Sequence, residues 1–270
     1  MLRASTGPPR MTAAEVARHL YAPRRALAES VPGAECAELG GGFLTIDRSS
    51  TAEYPSTNRN RAEFIGVSRP ASRGEVEEIV ERFAAAGVRR WFFWLSPCPQ
   101  MEEIRQWLPE LGLRPFDGPR YIALTRSPEA VAPHRTALRV RALKAPELRA
   151  QTGFLNELHG EFAGAYLGTI GRDDCLHYLA FDGDRPVAAS GLCVVGAAAY
   201  LFLAATREAD RSRGAQNALI AARVRAAHAR GSRIVMVETL SILRPSLANL
   251  VRQGFRECYD TQVFACAPVR

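Results

Sequence analysis

Two arginines and a glycine meet at one turn, Arg211-Ser212-Arg213-Gly214-Ala215, between an apolar run and a helix-forming stretch. The first amides of a helix lack partners inside it, and the helix dipole there favours an anion. Arginine grips phosphate through two parallel hydrogen bonds. Glycine lets backbone N–H groups come close to a ligand. The turn therefore suits a phosphate, although a solvated basic turn before a surface helix has the same composition. Downstream, Glu238 interrupts the apolar run Ile234–Leu240. A carboxylate there is suited to accepting a proton, directly or through water. An edge salt bridge to Arg207 or Arg233 is the plainer role. Glu208 and Glu157 are further candidate bases. His159 and His177 are candidates to line a pocket, or hydrogen-bonded packing residues.

The elements that position these groups are readable in order. Tyr200–Ala205 is a strand. A helix runs from Gly214 to Gly231, with Leu219, Ile220, Val224 and Ala227 on its apolar face and Arg223, Arg225 and Arg230 on the other. Ile234–Leu240 has the composition of a buried strand. A short helix from Pro245 ends in Gly254-Phe255, and Tyr259–Ala265 closes the sheet. Upstream lie a strand at Leu138–Ala142, a helix over Glu147–Phe162, a glycine-rich loop over Ala163–Cys175, and strands at His177–Asp182, Pro186–Val195 and Ala197–Ala205.

This order resembles the GNAT acyltransferase superfamily. Its acetyl-CoA loop reads Gln/Arg-x-x-Gly-x-Gly/Ala after a strand and opens a helix. Arg211 and Gly214 fill the first two positions, and Gln216 stands where glycine or alanine is usual. A short helix ending in Gly-Phe before the last strand is a second hallmark. Together they cover about the last third of the chain. The resemblance implies acetyl-CoA as cosubstrate, no metal, and a thioester held in a V-shaped gap between Ala199–Thr206 and Ile234–Leu240. Backbone groups near Leu203, Ala204, Ala205 and Thr206 would then meet the pantetheine arm, and one N–H would stabilise the oxyanion. Small side chains at Ala204 and Ala205 permit that approach, and equally permit packing under a helix. Phosphates would lie over Arg211, Ser212, Arg213, Gly214, Ala215 and Gln216, with Ser246 and Asn249 flanking. Asn249 is equally suited to a cap or turn. The tyrosine that protonates the leaving thiolate in many such enzymes is replaced by Leu250, leaving Tyr259 and Ser246 as substitutes.

The first half repeats this order. Glu63–Val67, a helix ending at Gly87, strand Trp91–Leu95, a helix over Pro99–Leu111 ending in Gly112-Leu113, and strand Tyr121–Thr125 match the later elements. Before them lie a helix over Thr12–Ser30, with Thr12 and Glu15 as a capping box, and strands Glu35–Leu39 and Phe43–Asp47. In the first half Arg73-Gly74 is followed by Glu75, Glu77 and Glu78. These acids satisfy the dipole from within and repel a pyrophosphate, and Ser72 with Glu75 completes a capping box. Only the second half is expected to bind the cosubstrate. The fold class is α+β: two tandem GNAT-like lobes, each a central mixed, mainly antiparallel sheet flanked by helices. A degenerate lobe over 1–130 and an acyl-CoA-binding lobe over 136–270 are joined by a proline-containing linker over 127–135, and Met1–Arg10 reads as a loose leader.

Composition agrees with a globular chain: 270 residues, 47% hydrophobic and 23% charged. No apolar run approaches the ~20 residues that cross a bilayer, and no signal-peptide core opens the chain, so cytoplasmic residence is expected. Six cysteines contain no C-x-x-C pair and read as reduced packing residues. His159-Gly160-Glu161 matches the first half of a zinc deaminase signature, but no cysteine pair follows at the required distance. The net charge of +7 suits coenzyme A and discriminates little against nucleic acid, which the scattered arginines do not favour. The expected function is transfer of acetyl from acetyl-CoA to a primary amine of a small or peptide acceptor. The rivals are a non-catalytic acyl-CoA-binding regulatory module and an aminoacyl-tRNA-dependent transferase. A homo-oligomer is left open.

Overall fold

The computed structural model describes residues 11–129, 131, 134 and 136–266. The leader over Met1–Arg10 and part of the linker lie outside the described residues. The chain runs α1 (Ala13–Ala28), β1 (Glu35–Leu39), β2 (Gly42–Ile46), β3 (Arg61–Glu63), α2 (Arg73–Ala85), β4 (Phe92–Leu95), α3 (Met101–Glu110), β5 (Leu113–Pro115) and β6 (Tyr121–Arg126). The second half runs β7 (Arg139–Leu143), α4 (Ala145–Arg149), α5 (Thr152–His159), α6 (Ala163–Gly168), β8 (Cys175–Asp182), β9 (Arg185–Val195), β10 (Ala198–Thr206), α7 (Ala215–Ala229), β11 (Ile234–Leu240), α8 (Arg244–Arg252) and β12 (Arg256–Cys266). Among the described residues no helix is long and apolar enough to cross a membrane.

Each half contains one parallel pair, β3 with β4 and β10 with β11, in an otherwise antiparallel setting. The halves do not keep separate sheets. All strands join one sheet of order β1-β2-β3-β4-β12-β6-β11-β10-β9-β8-β7, with β5 also on β12. The two closing strands have changed places. β12 pairs with β4 of the first half, β6 pairs with β11 of the second, and β6 and β12 pair with each other.

Helix α1 begins at Thr12, whose hydroxyl accepts from the Glu15 amide while the Glu15 carboxylate accepts from Thr12 N–H. It then crosses into the second half and packs on β10 and β9. Its buried face, Val16, Ala17 and Leu20, shares a core with Phe154, Leu155, Tyr166, Tyr200 and Phe202. Burying a leucine of this kind stabilises by ~1.5–3 kcal/mol, and Leu20→Ala would cost ~2–5 kcal/mol and loosen the seat of the helix. On the opposite face, Leu201, Val235 and Phe255 pack under Ile220 and Val224 of α7 and Leu250 of α8.

Four local expectations change. The strand expected over Glu63–Val67 stops at Glu63, because Phe64 (φ 60°) and Gly66 (φ 82°) turn the chain. The helix expected over Glu147–Phe162 is broken between α4 and α5. The loop expected over Ala163–Cys175 begins as helix α6. Arg223, expected on the solvated face of α7, is buried and donates to the carbonyls of Leu219 and Gly191 at 3.1 Å each. Burial pushes its guanidinium down to about 10.

Candidate functional site

Strands β10 and β11 are paired in register from Ala198–Ile234 to Leu201–Val237, and there the pairing ends. Beyond that point β10 bulges. Its ladder with β9 skips from Phe202 to Ala205, and Leu203 holds φ 41°. A leucine in this region costs ~1–3 kcal/mol, and the bulge takes Leu203 and Ala204 out of the ladder. A cavity of about 440 Å³ opens at the divergence. Leu203, Ala204 and Ala205 line one side, and Val237, Glu238 and Thr239 the other.

The cavity is walled by both halves, and its centre is charged. Tyr200 donates its phenolic hydrogen to Glu238 Oε2 at 3.1 Å. Arg24, carried across by α1, lies 3.4 Å from the same oxygen through Nε and hydrogen-bonds Glu63 through Nη2. Its Nη1 donates to the Tyr200 hydroxyl at 3.4 Å. Glu238 Oε1 has no hydrogen bond among the described residues, so one lone-pair face of the carboxylate remains open. Burial opposes the charge on Arg24, but Glu63 and Glu238 outweigh it and raise the guanidinium above its ordinary value. Burial, then the charge of Glu238, raises Tyr200. The expected partners of Glu238, Arg207 and Arg233, are not the ones it has. Arg207 instead pairs with Glu157 at 2.9 Å, and Glu208 is largely exposed, 3.6 Å from Arg211. Neither Glu157 nor Glu208 lines the cavity.

The turn over Arg211–Ala215 has one open feature and one closed one. Gly214 (φ 85°) caps α7 without a side-chain hydrogen bond, and the first turn carries no acid. The first bond into the helix is Ala218 N–H to Gly214 O at 3.0 Å. The amides of Ala215, Gln216 and Asn217 make no hydrogen bond among the described residues. In α2, by contrast, Ser72 and Glu75 satisfy each other and Arg69 pairs with Glu75, which holds that carboxyl down to about 2. The closed feature is Arg213. Its guanidinium is taken by Asp182 at 2.8 Å and Asp210 at 3.0 Å, so it braces the turn although it is exposed. Arg211 is largely exposed. Ser212 sits at φ 64°. Linker residues cover the Cα of Gly214: a Cβ there would lie 2.6 Å from His134 Nε2.

Gln216, Ser246 and Asn249 come together between α7 and α8. Gln216 Nε2 donates to Ser246 Oγ at 2.9 Å, and Asn249 Nδ2 donates to Gln216 Oε1 at 2.7 Å. Both ends of the Gln216 amide are thereby used within the protein. Gln216, Ser246 and Leu250 line the cavity, whereas Thr206 and Tyr259 lie outside its wall. Tyr259 is buried with its hydroxyl unpartnered among the described residues. His159 lines the cavity and stacks on Tyr166 at 4.4 Å, and His177 pairs with Thr169 at 2.8 Å. Burial pushes both histidines down to about 4. Asp174, Cys175 and Cys193 bring ligand atoms within 4.8 Å of one another, but Arg172 holds Asp174 through two hydrogen bonds of 2.8 and 2.7 Å.

Sequence reasoning missed Tyr200, Arg24, Arg61 and Glu63. Tyr200 reads as one more apolar strand residue. The others lie in the first half, where Glu63 beside an apolar run was the one available signal.

No family model matches the chain, and no curated protein matches it. Solved structures match over nearly its whole length. A GCN5-related N-acetyltransferase from Kribbella flavida superposes with a TM-score of 0.64 at 16% identity, covering 95% of this chain and 96% of that one. A tandem GNAT protein from the clavulanic acid biosynthesis pathway gives 0.62 at 13% identity, over 99% and 92%. A protein from Novosphingobium aromaticivorans assigned to the GNAT acetyltransferases gives 0.56 at 14% identity, over 94% and 96%. With its two parallel pairs, its bulged strand and these superpositions, the chain has the tandem GNAT fold.

Proposed function

We propose that the protein is an acyl-CoA-dependent N-acyltransferase that moves acetyl from acetyl-CoA to a primary amine. In this reading the lobe over 136–270 takes the cosubstrate, and the lobe over 1–130 walls the acceptor site. The observation that carries it is the divergence of β10 and β11 after Leu201 and Val237, which opens directly onto Glu238. The bulge at Leu203 and Ala204 frees backbone groups to meet the thioester end, and an N–H there is suited to the oxyanion. The unpartnered amides at the start of α7 suit the pyrophosphate. Arg211 adds charge; Arg213 supports the turn indirectly.

The chain's own residues supply the rest. An amine entering the cavity attacks the thioester carbonyl. The N–C bond forms, the C–S bond breaks, and the amine proton passes to Glu238 Oε1, directly or through water. Tyr200 and Arg24 fix the carboxylate in place from the other oxygen. The thiolate leaves beside Ser246, the one hydroxyl of the two expected substitutes that lines the cavity.

Leu250, buried where an acid is usual in this fold, favours a second reading, a non-catalytic acyl-CoA-binding module. Calorimetric titration of acetyl-CoA into wild type and Arg211→Glu, paired with a thiol-release assay over an amine panel, separates the two. One site weakened in the variant, with turnover, supports transfer. One site without turnover supports the binder. No binding in wild type overturns both.

A further inference from the structure

Four arginines line the cavity: Arg24, Arg59, Arg61 and Arg223. Three are committed. Arg24 holds Glu63, Glu238 and Tyr200, Arg59 holds Asp47, and Arg223 holds two carbonyls. Arg61 is different. Its guanidinium makes no hydrogen bond among the described residues. Its nearest carboxylate, Glu63, stands 3.6 Å away through Oε2, beyond hydrogen-bond reach, and its other oxygen already serves Arg24.

Yet Arg61 is firmly placed. Strand β3 pairs it in register with Phe92 of β4. Its guanidinium lies over the Trp94 ring at 5.3 Å, and its side chain is only 19% exposed. A guanidinium stacked on an indole keeps its N–H edge free for an anion. Trp94, also lining the cavity, has an indole N–H with no partner among the described residues. A buried donor left unpaired in this way costs ~1–3 kcal/mol. Burial lowers the Arg61 guanidinium and the neighbouring Arg24 charge adds to this, while Glu63 and Glu238 only partly oppose it.

Resting on the acyltransferase reading, we infer that the Arg61–Trp94 end of the cavity is a carboxylate subsite, and that the acceptor is a small zwitterion carrying an amine and a carboxylate. The carboxylate takes two hydrogen bonds from Arg61. The amine is directed to the open Oε1 of Glu238. A cavity of about 440 Å³ accommodates an amino acid or a similarly small amino acid analogue.

The test uses amino acids, their carboxamides and the corresponding decarboxylated amines in the thiol-release assay with the full chain. Binding of the matching N-acetyl amino acids and their amides, measured by calorimetry without acetyl-CoA, gives a readout that does not need turnover. Wild type is expected to prefer acids over carboxamides by at least about 50-fold in kcat/KM, and to bind N-acetyl acids more tightly than their amides. Arg61→Gln should collapse both ratios toward one by raising KM, and Arg61→Lys should restore part of them. Unchanged acetyl-CoA affinity in each variant certifies the fold. Equal use of acids and carboxamides by wild type, an acid preference that survives Arg61→Gln, or binding of N-acetyl acids no tighter than amides overturns the subsite. Failure of acetyl-CoA to bind overturns the acyltransferase reading, and the calorimetry of the N-acetyl acids still decides the subsite.

Discussion

The phenol of Tyr200 and the carboxylate of Glu238 meet at 3.1 Å across the parallel strands β10 and β11, close to where those strands part. The contact fixes one oxygen of the carboxylate and leaves the other turned to the cavity. Glu238→Gln keeps shape and packing but cannot take up the amine proton. Loss of ~10²–10⁴-fold in kcat is expected, with acetyl-CoA affinity retained. Thiol release and calorimetry on the same preparation check this, and full activity in the variant would remove Glu238 from its role.

Arg24 is paired with two carboxylates at once, the buried Glu63 and the half-buried Glu238. Removing one partner of such a cluster strands the remaining charge and costs ~3–5 kcal/mol. Arg24→Met should therefore destabilise strongly in urea titrations, and Arg24→Met with Glu63→Gln should recover part of the loss. Additive losses would mean that the pair does not act as a unit.

Gly214 and Gly231 flank the same helix at φ 85° and 75°. A side chain at Gly231 meets open space, whereas at Gly214 it meets His134. Gly231→Ala should cost only the left-handed penalty, ~1–2 kcal/mol. Gly214→Ala should cost more, and should also displace the linker. Equal melting temperatures would show that His134 yields freely.

The buried pair His159 and His177 makes stability pH-dependent. Both are held near 4 in the folded chain by burial, against ~6.5 when unfolded. Between these values the unfolded chain binds the additional protons. Stability is therefore complete above pH ~6.5, falls as pH drops toward 4, and loses nothing further to these groups below that. Urea midpoints at pH 7, 5.5 and 4 should track this slope, and His159→Phe should flatten it.

One acetyl-CoA site per chain is expected. Neutralising Glu75, Glu77 and Glu78 leaves Ser72 on the orphan amides of α2, so no second tight site should arise. Two stoichiometric sites in wild type would contradict the assignment of roles to the two halves.

The two-lobed pattern and the segment from Tyr200 to Phe255 were legible because helix period, glycine stops and buried strands are local signals. Glu238 stood out because a carboxylate in an apolar strand has no local excuse. Its partner Arg24 did not, because nothing near Arg24 in sequence reveals that α1 crosses to the other half. The exchange of β6 and β12 was equally silent, since each strand has the same apolar character whichever sheet it joins. Helix α6 was hidden by its glycines. Gly168 is small because the Ser30 carbonyl lies against it, a long-range reason that reads locally as a loop.

The exchanged closing strands carry a mechanical consequence. Each half contributes to the other a strand that is hydrogen-bonded on both sides, so the molecule has the architecture of a strand-swapped dimer internalised in a single polypeptide. The linker then serves chiefly as a tether that sets local concentration. Once folded, a chain cut there should remain one particle in gel filtration. Residues 136–270 produced alone would leave β11 without its neighbour, an open edge prone to self-association.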